Sequence, residues 1–390
     1  MVHQTISSSN TSAARASNKS QTMKILRAVL CRLLIVGALG SGTAPALAGT
    51  DGDSGPAAAQ SLAQPRSRWI AVPWSELPGF GADSLHEAWN AWLSSCGRPP
   101  PPVAALCRDV RGLSIASQDE KQAWMRARLQ AYRIESLQGD ATGLLTGYFE
   151  PEFDASRIRA PGFTVPLYQP PARAGQSQPW YTRQEIDTLA AAKAALHGRE
   201  IAFLSDPIDA LIMQIQGSGR LRLTQADGSQ LLVRLGFAGS NEQPYRSVGR
   251  WLLDQGAIRE ASWPAIKAWA VQHPQRLNEL LWSNPRTVFF REEPMGPAEV
   301  GTGPRGAQGV ALTPGRSVAV DPLSVPYGTP LWLSSSGESG SLERLVLAQD
   351  TGAALIGAVR VDYFTGWGPQ AGELAGRIKQ PVRLWALWPK

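Results

Sequence analysis

A chain of 390 residues is long enough to form two domains with a sizeable core, and a composition of 43% hydrophobic and 18% charged residues is typical of a globular protein. The formal net charge of +6 reflects 38 Lys and Arg against 32 Asp and Glu, but five of the basic residues and none of the acidic ones precede residue 49. Without those five, 33 basic residues face 32 acidic ones, so the charge gives no argument for nucleic acid or an anionic lipid surface as the main partner.

The N-terminal segment, residues 1–48, has the pattern of a leader with a secretory signal peptide. A basic region opens at Lys24, an apolar run extends from Leu30 to Leu39, and a small-x-small cleavage site precedes Gly49. The apolar run is too short and too charged for a stable membrane span, so none is expected in the mature form. Residues 49–66, rich in Gly, Ala, Ser, Gln and Pro, are predicted to be a flexible linker.

Cysteine usage agrees with export. Cys31 lies in the leader and is not preceded by the small residue expected before a lipidated cysteine, so a lipoprotein is not favoured. Cys96 and Cys107 flank a Pro-rich turn. In an oxidising compartment, a disulfide across that turn is favoured over two free thiols.

Two helices are predicted in the first part of the folded chain. Ser84–Ser95 has apolar residues at helical spacing behind a Ser cap, and Gln118–Ser136 repeats the pattern. Trp89 and Trp92 fall on the apolar face of the first helix, so they are assigned to the core.

The middle of the chain, from Thr146 onwards, is predicted to alternate short β-rich runs with Gly and Asp-Gly turns. One helix interrupts these runs, because Thr182 and Glu185 have the spacing of a capping box. Residues 244–282 are predicted to be helical, with a break at His273 before Pro274. The β-rich runs lie at Phe163–Tyr168, throughout Ile201–Arg222 and at Leu231–Phe237.

The last part of the chain, from Gln308, shows short strands at even spacing that predict a closed β-barrel. Asp321, Asp350 and Asp362 each adjoin one of the apolar runs. An acid so close to buried β-structure costs free energy unless it is hydrogen-bonded, paired or used in chemistry. The predicted strands are Val310–Leu312, Ser317–Val320, Thr329–Leu333, Leu345–Ala348, Ala358–Val361 and Val382–Leu387.

Several catalytic classes find little support in the residues. Gly301–Gly306 matches the dinucleotide fingerprint in form, but no strand precedes it and no helix follows, so no cofactor is predicted. The three histidines outside the leader are scattered without ligand spacing, so no metal is predicted. Gly217–Gly219 lacks the spacing of a nucleophile elbow, which leaves carboxylate chemistry.

Five separated motifs stand out along the chain: Thr146–Pro151, Gln214–Arg220, Gly236–Gly249, Asn284–Arg291 and Asp350–Gly372. In this order they resemble the membrane-bound lytic murein transglycosylase A family, over about Trp69 to Leu387. The three aspartates of the C-terminal strands are also similar to those of the three-aspartate domain, which is a double-psi β-barrel.

The resemblance implies a mainly β fold with flanking helices (α+β). Residues 67–147 plus 291–390 would form a double-psi β-barrel catalytic domain, and residues 148–290 an inserted β-barrel-like domain that makes the other wall of a substrate groove. Family members cleave the β-1,4 bond between N-acetylmuramic acid and N-acetylglucosamine without water and leave a 1,6-anhydro end. The implied partners are peptidoglycan glycan strands, with cell-wall synthesis or divisome proteins as further candidates and no nucleic acid.

The family's catalytic aspartate falls on Asp362, and Asp350 matches a second, supporting acid of the same site. An acid that protonates a glycosidic oxygen at neutral pH needs a raised pKa, which burial among Val361, Tyr363 and Phe364 is expected to provide. The structural alternative for Asp321 is that it caps the end of a strand. The alternative for Gly217–Gly219 is that it forms a simple turn. The candidate substrate-binding residues are Tyr148, Gln214, Gln216, Gly217, Ser218, Gly219, Asp321 and Trp367.

Two other functions remain open at this point. An inverting hydrolase would use Asp362 as acid and Asp350 as base through a water molecule. A non-catalytic glycan-binding protein would retain the barrel as a scaffold only.

Overall fold

The computed structural model describes residues 61–172, 179–225 and 227–390. The predicted leader and residues 49–60 of the predicted linker lie outside the described residues. The linker prediction was wrong at its C-terminal end, because Ser61–Gln64 is a strand that pairs antiparallel with Ser67–Val72 and Leu62 packs against the barrel core. None of the helices in the described ranges is long and apolar enough to cross a membrane.

The strands of the described residues form three sheets of nine, four and two strands. In chain order they are β1 (Ser61–Gln64), β2 (Ser67–Val72), β3 (Leu129–Glu135), β4 (Gly143–Glu150), β5 (Glu152–Ala155), β6 (Val165–Tyr168), β7 (Glu200–Leu204), β8 (Gly219–Thr224), β9 (Gln230–Ser240), β10 (Val288–Glu293), β11 (Ser317–Ala319), β12 (Pro330–Gly337), β13 (Gly340–Asp350), β14 (Arg360–Trp367) and β15 (Lys379–Pro389).

The nine-stranded sheet closes into a six-stranded barrel, as predicted. The ring runs β4, β14, β11, β13, β12 and β15, and β15 pairs back to β4. The pairs β4/β14 and β11/β13 are parallel, and the others in the ring are antiparallel. Alternate residues point inwards and fill the barrel with apolar side chains such as Val318, Val361 and Leu384. The predicted strand Val310–Leu312 was wrong, since only Ala311 makes a single bridge there.

The helices of the described residues are short and pack outside the barrel or around the inserted domain. Trp89 and Trp92 are fully buried in the core between the first helices and the barrel, as predicted. Short 3-10 turns lie at Trp74–Glu76 and Pro274–Arg276. The α-helices are α1 (Leu85–Ser95), α2 (Pro101–Ala104), α3 (Cys107–Gly112), α4 (Gln118–Arg128), α5 (Arg183–Thr188), α6 (Ala190–Leu196), α7 (Pro207–Gln216), α8 (Val248–Asp254), α9 (Trp263–Gln272), α10 (Leu277–Trp282), α11 (Pro297–Val300) and α12 (Gly368–Arg377).

The helix predicted over Gln118–Ser136 ends at Arg128. From Leu129 the chain is a strand instead, and β3 buries Leu129, Ala131 and Ile134 between β2 and β15. The second half of the prediction was therefore wrong, because the pairing partners of this segment come from the two ends of the folded chain.

The β-rich prediction for Ile201–Arg222 was wrong in its centre, which forms α7. Asp206 caps this helix by accepting a hydrogen bond from the Ile208 amide at 2.8 Å, and Pro207 occupies the first turn. Gly217 ends it with φ of 80°, a left-handed conformation that favours glycine. These start and stop signals outweigh the β-rich appearance of the flanking strands.

The inserted domain comprises β5 to β10 with α5 to α10. Its four-stranded sheet runs β10, β9, β8, β5, and β6 pairs with β7. A bridge between Ser156 and Phe203 joins the two sheets. All six strands contribute to one apolar core, together with Ala210 and Met213 of α7, which makes the unit barrel-like.

Strand pairing favours slightly later domain boundaries than the predicted 147/148 and 290/291. β4 keeps its pairing with β14 as far as Glu150, and β10 keeps its pairing with β9 as far as Glu293. We therefore propose that the inserted domain extends from about residue 151 to residue 293.

A buried ion cluster ties together both places where the chain crosses between the domains. Glu150 ends β4 and is fully buried; it accepts from Arg220 Nε at 2.7 Å and from Arg234 Nε at 2.5 Å. The two guanidinium groups also donate to the carbonyl oxygens of Val300 and Thr302, on the returning segment, at 2.6–2.9 Å. The cluster thus fixes the outgoing and returning segments at one point.

Cys96 and Cys107 form a disulfide in the structure, eleven residues apart. Replacing both cysteines with Ser is expected to lower the free energy of unfolding by about 3 kcal/mol, because the unfolded chain regains the entropy of an open loop. Urea unfolding under oxidising conditions measures this change. An unchanged midpoint would contradict the prediction, and the wild-type protein with reductant provides the control.

Candidate active site

The two C-terminal acids of the site stand in one row across the barrel wall. Ala319 of β11 pairs with Asp350 of β13 on one side and with Asp362 of β14 on the other. Asp362 in turn pairs with Thr146 of β4. Residues directly opposite each other project to the same face, and neighbouring strands are about 4.8 Å apart. Asp350 and Asp362 therefore flank the small Ala319 side chain on the outer face of the barrel.

A β-bulge turns Asp350 to that outer face. Val318 pairs with Ala348, but Ala319 pairs with Asp350, so Gln349 is an extra residue in β13. Without it, Asp350 would have the alternation of Ala348 and would point into the barrel. The side-chain Nε2 of Gln349 instead donates to Ser95 Oγ of α1 at 2.7 Å. The bulge re-aims a functional side chain, as bulges beside active sites often do.

Asp362 is held by one hydrogen bond and is otherwise directed at the cleft. Thr146 Oγ1 donates to its Oδ1 at 2.7 Å. Among the described residues, Oδ2 of Asp362 has no hydrogen-bond partner. Burial raises the pKa of Asp362, and this effect is opposed by the Thr146 hydrogen bond and the positive charge of Arg360. The geometry leaves Oδ2 available to a ligand.

Asp350, in contrast, has both carboxylate oxygens occupied by donors of the protein. Tyr148 Oη donates to Oδ2 at 3.0 Å, and the Ala307 amide donates to Oδ1 at 2.9 Å. Burial raises the pKa of Asp350 to about 6, opposed by these hydrogen bonds and by one from the Thr351 backbone. Burial and the Asp350 charge also raise the pKa of Tyr148, so this phenol stays protonated and donates.

The glycine-rich loop that resembles a dinucleotide fingerprint packs against Asp350 instead. A Cβ on Gly306 would lie 2.4 Å from the Gln349 carbonyl oxygen and 3.2 Å from the Asp350 Cβ. Glycine therefore allows the close approach that brings the Ala307 amide to the carboxylate.

The row of acids faces a cleft between barrel and inserted domain. Its larger arm has a volume of about 1110 Å³ and its smaller arm about 270 Å³, and Asp350, Asp362, Tyr148 and Gln216 line both. Tyr245 approaches Asp362 from the inserted domain; burial raises its pKa, and the Asp362 charge adds to this effect. The two acids therefore lie where the two arms of the cleft meet.

The C-terminal end of α7 brings four of the predicted residues to the cleft: Gln214, Gln216, Gly217 and Ser218. Gln216 Oε1 accepts from the Phe149 amide at 3.1 Å, which ties the helix to β4. Gln214 Oε1 accepts from the buried guanidinium of Arg183 at 2.5 Å. Each amide side chain is thereby held with its NH₂ group available for hydrogen bonds.

Three predicted substrate-binding residues do not line the cleft. Asp321 is buried and accepts from Arg66 and from the amides of Leu323 and Gly357, so it serves as a structural cap. Trp367 is covered by the Arg220 guanidinium, 4.2 Å from its ring centre. Gly219 is buried beside Met213, inside β8.

Sequence reasoning assigned no role to three cleft residues, Tyr245, Ser247 and Arg360. It also assigned none to Thr146, which donates to Asp362 from β4. Thr146 and Tyr245 lie within motifs that carried the resemblance, and Arg360 shares a strand face with Asp362. The contact between Thr146 and Asp362 spans 216 residues of sequence and depends on the parallel pairing of β4 with β14.

No group of three or more His, Cys, Asp or Glu in the described ranges is arranged to hold a metal ion. The absence of cofactor and metal stays a prediction.

The sequence of this chain is similar to known protein families and to curated proteins. A family model for the MltA specific insert domain matches residues 144–291, and one for the 3D domain matches residues 316–388. The membrane-bound lytic murein transglycosylase A of Escherichia coli (strain K12) is 32% identical over 286 residues, which cover 68% of this chain and 74% of that protein.

Two crystal structures extend the similarity to the fold. MltA from Neisseria gonorrhoeae, in its monoclinic form, has a TM-score of 0.71 at 28% identity and covers 86% of this chain and 96% of its own. Escherichia coli MltA with bound chitohexaose has a TM-score of 0.66 at 26% identity, with 85% and 96% covered. The similarity thus extends over both domains.

Proposed function

This chain belongs to the membrane-bound lytic murein transglycosylase A family, and from that premise we propose that Asp362 is its single general acid and base. The protein is a lytic transglycosylase of peptidoglycan. One observation carries the assignment of Asp362: its Oδ2 has no hydrogen-bond partner among the described residues and faces the cleft, whereas both oxygens of Asp350 are occupied.

In the first step, protonated Asp362 donates the proton from Oδ2 to the glycosidic oxygen while the bond from that oxygen to C1 breaks. The leaving N-acetylglucosamine departs with a hydroxyl, and positive charge develops at C1 of the muramyl residue. Burial favours the protonated carboxyl before the step. Thr146 fixes the orientation of the carboxyl group through Oδ1.

In the second step, the Asp362 carboxylate takes the proton of the muramyl 6-hydroxyl while the oxygen of that hydroxyl bonds to C1. The product is a 1,6-anhydro ring, and the carboxyl group is restored without water. General acid and base catalysis supplies about a hundred- to ten-thousandfold, and the remainder comes from orientation of the strand in the cleft.

We assign Asp350 a positioning role. It holds Tyr148 and the Ala307 loop, so the wall of the cleft beside Asp362 depends on it. The inverting hydrolysis alternative requires Asp350 to bind and activate a water, which its occupied oxygens disfavour.

Peptidoglycan glycan strands are the partner of the site. We propose a periplasmic location, supported by the predicted signal peptide and by a disulfide that needs an oxidising compartment. The proposed cell-wall synthesis or divisome partners stay a prediction.

Digestion of purified sacculi, followed by mass spectrometry of the soluble muropeptides, tests the function. We expect 1,6-anhydro ends. Products heavier by one water would indicate hydrolysis, and the absence of products would indicate a binding protein.

Thr146→Val is expected to shift the pH–rate profile. The variant loses the hydrogen bond that stabilises the Asp362 carboxylate, so the pKa of Asp362 rises further. Because the protonated carboxyl starts the reaction, the alkaline limb of kcat/KM should move to higher pH. Thr365→Val is the control, since Thr365 lies on β14, the strand of Asp362, and its hydroxyl donates to the carbonyls of Tyr148 and Ala371 and not to Asp362. An alkaline limb that stays in place or moves to lower pH would contradict the assignment.

A further inference from the structure

Arginines line both walls of the larger arm of the cleft. Arg98 and Arg305 belong to the barrel domain, Arg286 and Arg291 to the inserted domain, and Arg360 stands beside Asp362. Among the described residues that line this arm there is no Lys and no Glu, and Asp350 and Asp362 are its carboxylates. We name these five arginines the cleft arginines.

Most of the cleft arginines are not used in ion pairs. Arg291 pairs with Glu293 at 2.6 Å. For the other four, the described part of the chain places no carboxylate oxygen within 4.0 Å. Arg286 Nη1 donates to the Gln243 carbonyl at 3.0 Å and Arg305 Nη1 to the Gly309 carbonyl at 3.3 Å. Their remaining N–H groups are available on opposite walls.

The barrel wall holds its two arginines close together. Arg305 donates to the Gly309 carbonyl, and a Cβ on Gly309 would lie 2.7 Å from Nη1 of Arg98. Both guanidinium groups therefore lie beside Gly309, and an anion bound there would be close to two positive charges. The side chains of Arg98 and Arg305 are both exposed to solvent, so a ligand reaches them.

The positive lining contrasts with the near-neutral balance of the chain after residue 48, which carries 33 basic and 32 acidic residues. An uncharged sugar backbone needs only hydrogen-bonding groups, which Gln214, Gln216 and Ser218 already supply. Guanidinium groups match carboxylates in shape and charge. On a peptidoglycan strand the carboxylates belong to the lactyl substituent of the muramyl residue or to the peptide attached to it.

We propose that the cleft arginines bind carboxylates on the muramyl substituents, so that the enzyme prefers anionic strands to neutral ones. The proposal rests on the proposed function and names the part of the substrate that the larger arm recognises. The contact acts on strand binding and selection, and the chemistry at Asp362 does not require it.

Three strand preparations test the proposal: peptide-bearing strands, strands stripped of peptides by an amidase, and stripped strands whose lactyl carboxylates are converted to methyl amides. We expect wild-type kcat/KM to be lowest on the neutral strands and the preference to weaken at high ionic strength. Arg286→Gln and Arg305→Gln should each lower kcat/KM on carboxylate-bearing strands by roughly twofold to fivefold, mainly through KM, with little effect on neutral strands.

Arg259→Gln is the matched control, since Arg259 is exposed and does not line the cleft. On peptide-bearing strands the lactyl carboxyl is an amide, so an effect confined to stripped strands identifies the lactyl carboxylate as the ligand. An effect confined to peptide-bearing strands identifies the peptide carboxylates, and an effect on both shows that the arginines accept either carboxylate. Equal kcat/KM on all three strands, or cleft variants that match the control, would overturn the proposal. Failure of the proposed function is distinguishable, because the wild type would then form no anhydro ends on any strand.

Discussion

Asp362→Asn is expected to lower the rate of anhydromuropeptide release by about a hundred- to ten-thousandfold, because the variant carries no proton that it can donate and regain. Thr146 can still donate to the side-chain oxygen of Asn, so the cleft should keep its geometry. The initial rate of release from purified sacculi measures the effect.

The stability of this variant separates catalysis from folding. Burial raises the pKa of Asp362 in the folded state, so the stability that the acid contributes is present at low pH and is lost as pH rises through that raised pKa. Asn does not titrate, so the urea midpoint at neutral pH should match or exceed that of the wild type. Asp321→Asn is the control, since Asp321 is a buried barrel acid that does not line the cleft, and its release rate should stay near that of the wild type. Substantial residual release by Asp362→Asn would refute its role as the sole acid and base.

Glu150→Gln is expected to lower the free energy of unfolding by about 3–5 kcal/mol, which is the cost of leaving a buried charge without its partner. Glu150 binds Arg220 and Arg234 with both oxygens, and all three side chains are almost completely buried. Gln keeps the size of the side chain but leaves two guanidinium groups without a counter-charge. Urea unfolding at neutral pH measures the change.

Glu373→Gln provides the matched control. Glu373 pairs with Arg377 one helical turn away, and both side chains are about 70% exposed, so its loss should change the free energy of unfolding by less than about 1 kcal/mol. If Glu150→Gln is as mild as this control, the buried cluster does not stabilise the junction between the domains. Because the cluster joins both crossing segments, we also expect Glu150→Gln to raise KM for glycan strands.

Local signals in the sequence were the most reliable. The capping box of Thr182 and Glu185 is present, with the Glu185 amide donating to Thr182 Oγ1 at 3.3 Å and the Glu185 carboxylate accepting from the Thr182 amide at 2.7 Å. Such a signal involves only residues that are a few positions apart, so the hydrogen bonds that it predicts depend little on distant parts of the chain. The helix nevertheless breaks at Leu189, where α5 ends and α6 begins.

Periodicity failed where the partners of a segment are distant in sequence. The run after Arg128 has apolar residues that fit a helix nearly as well as a strand, and pairing with β2 and β15 selects the strand. The segment of α7 was predicted to be β-rich but forms a helix. Asp206, Pro207 and Gly217 carried the signals of its start and stop.

The site itself could be predicted only in part. The motifs singled out Asp350 and Asp362, but the bulge at Gln349 that turns Asp350 to the cleft depends on pairing with a strand more than thirty residues away. Trp367 was predicted to bind sugar with its ring, but the guanidinium of Arg220, from the inserted domain, covers that ring. Asp321 likewise received its partner Arg66 from the distant N-terminal hairpin.

We propose that Asp362 closes the muramyl 6-hydroxyl onto C1 without a water molecule. Cleavage of purified glycan strands in water labelled with heavy oxygen, followed by mass spectrometry of the new muramyl ends, tests this ring closure. The mechanism predicts anhydro ends that contain no label. Labelled, reducing muramyl ends formed as the first product would contradict it and would establish hydrolysis.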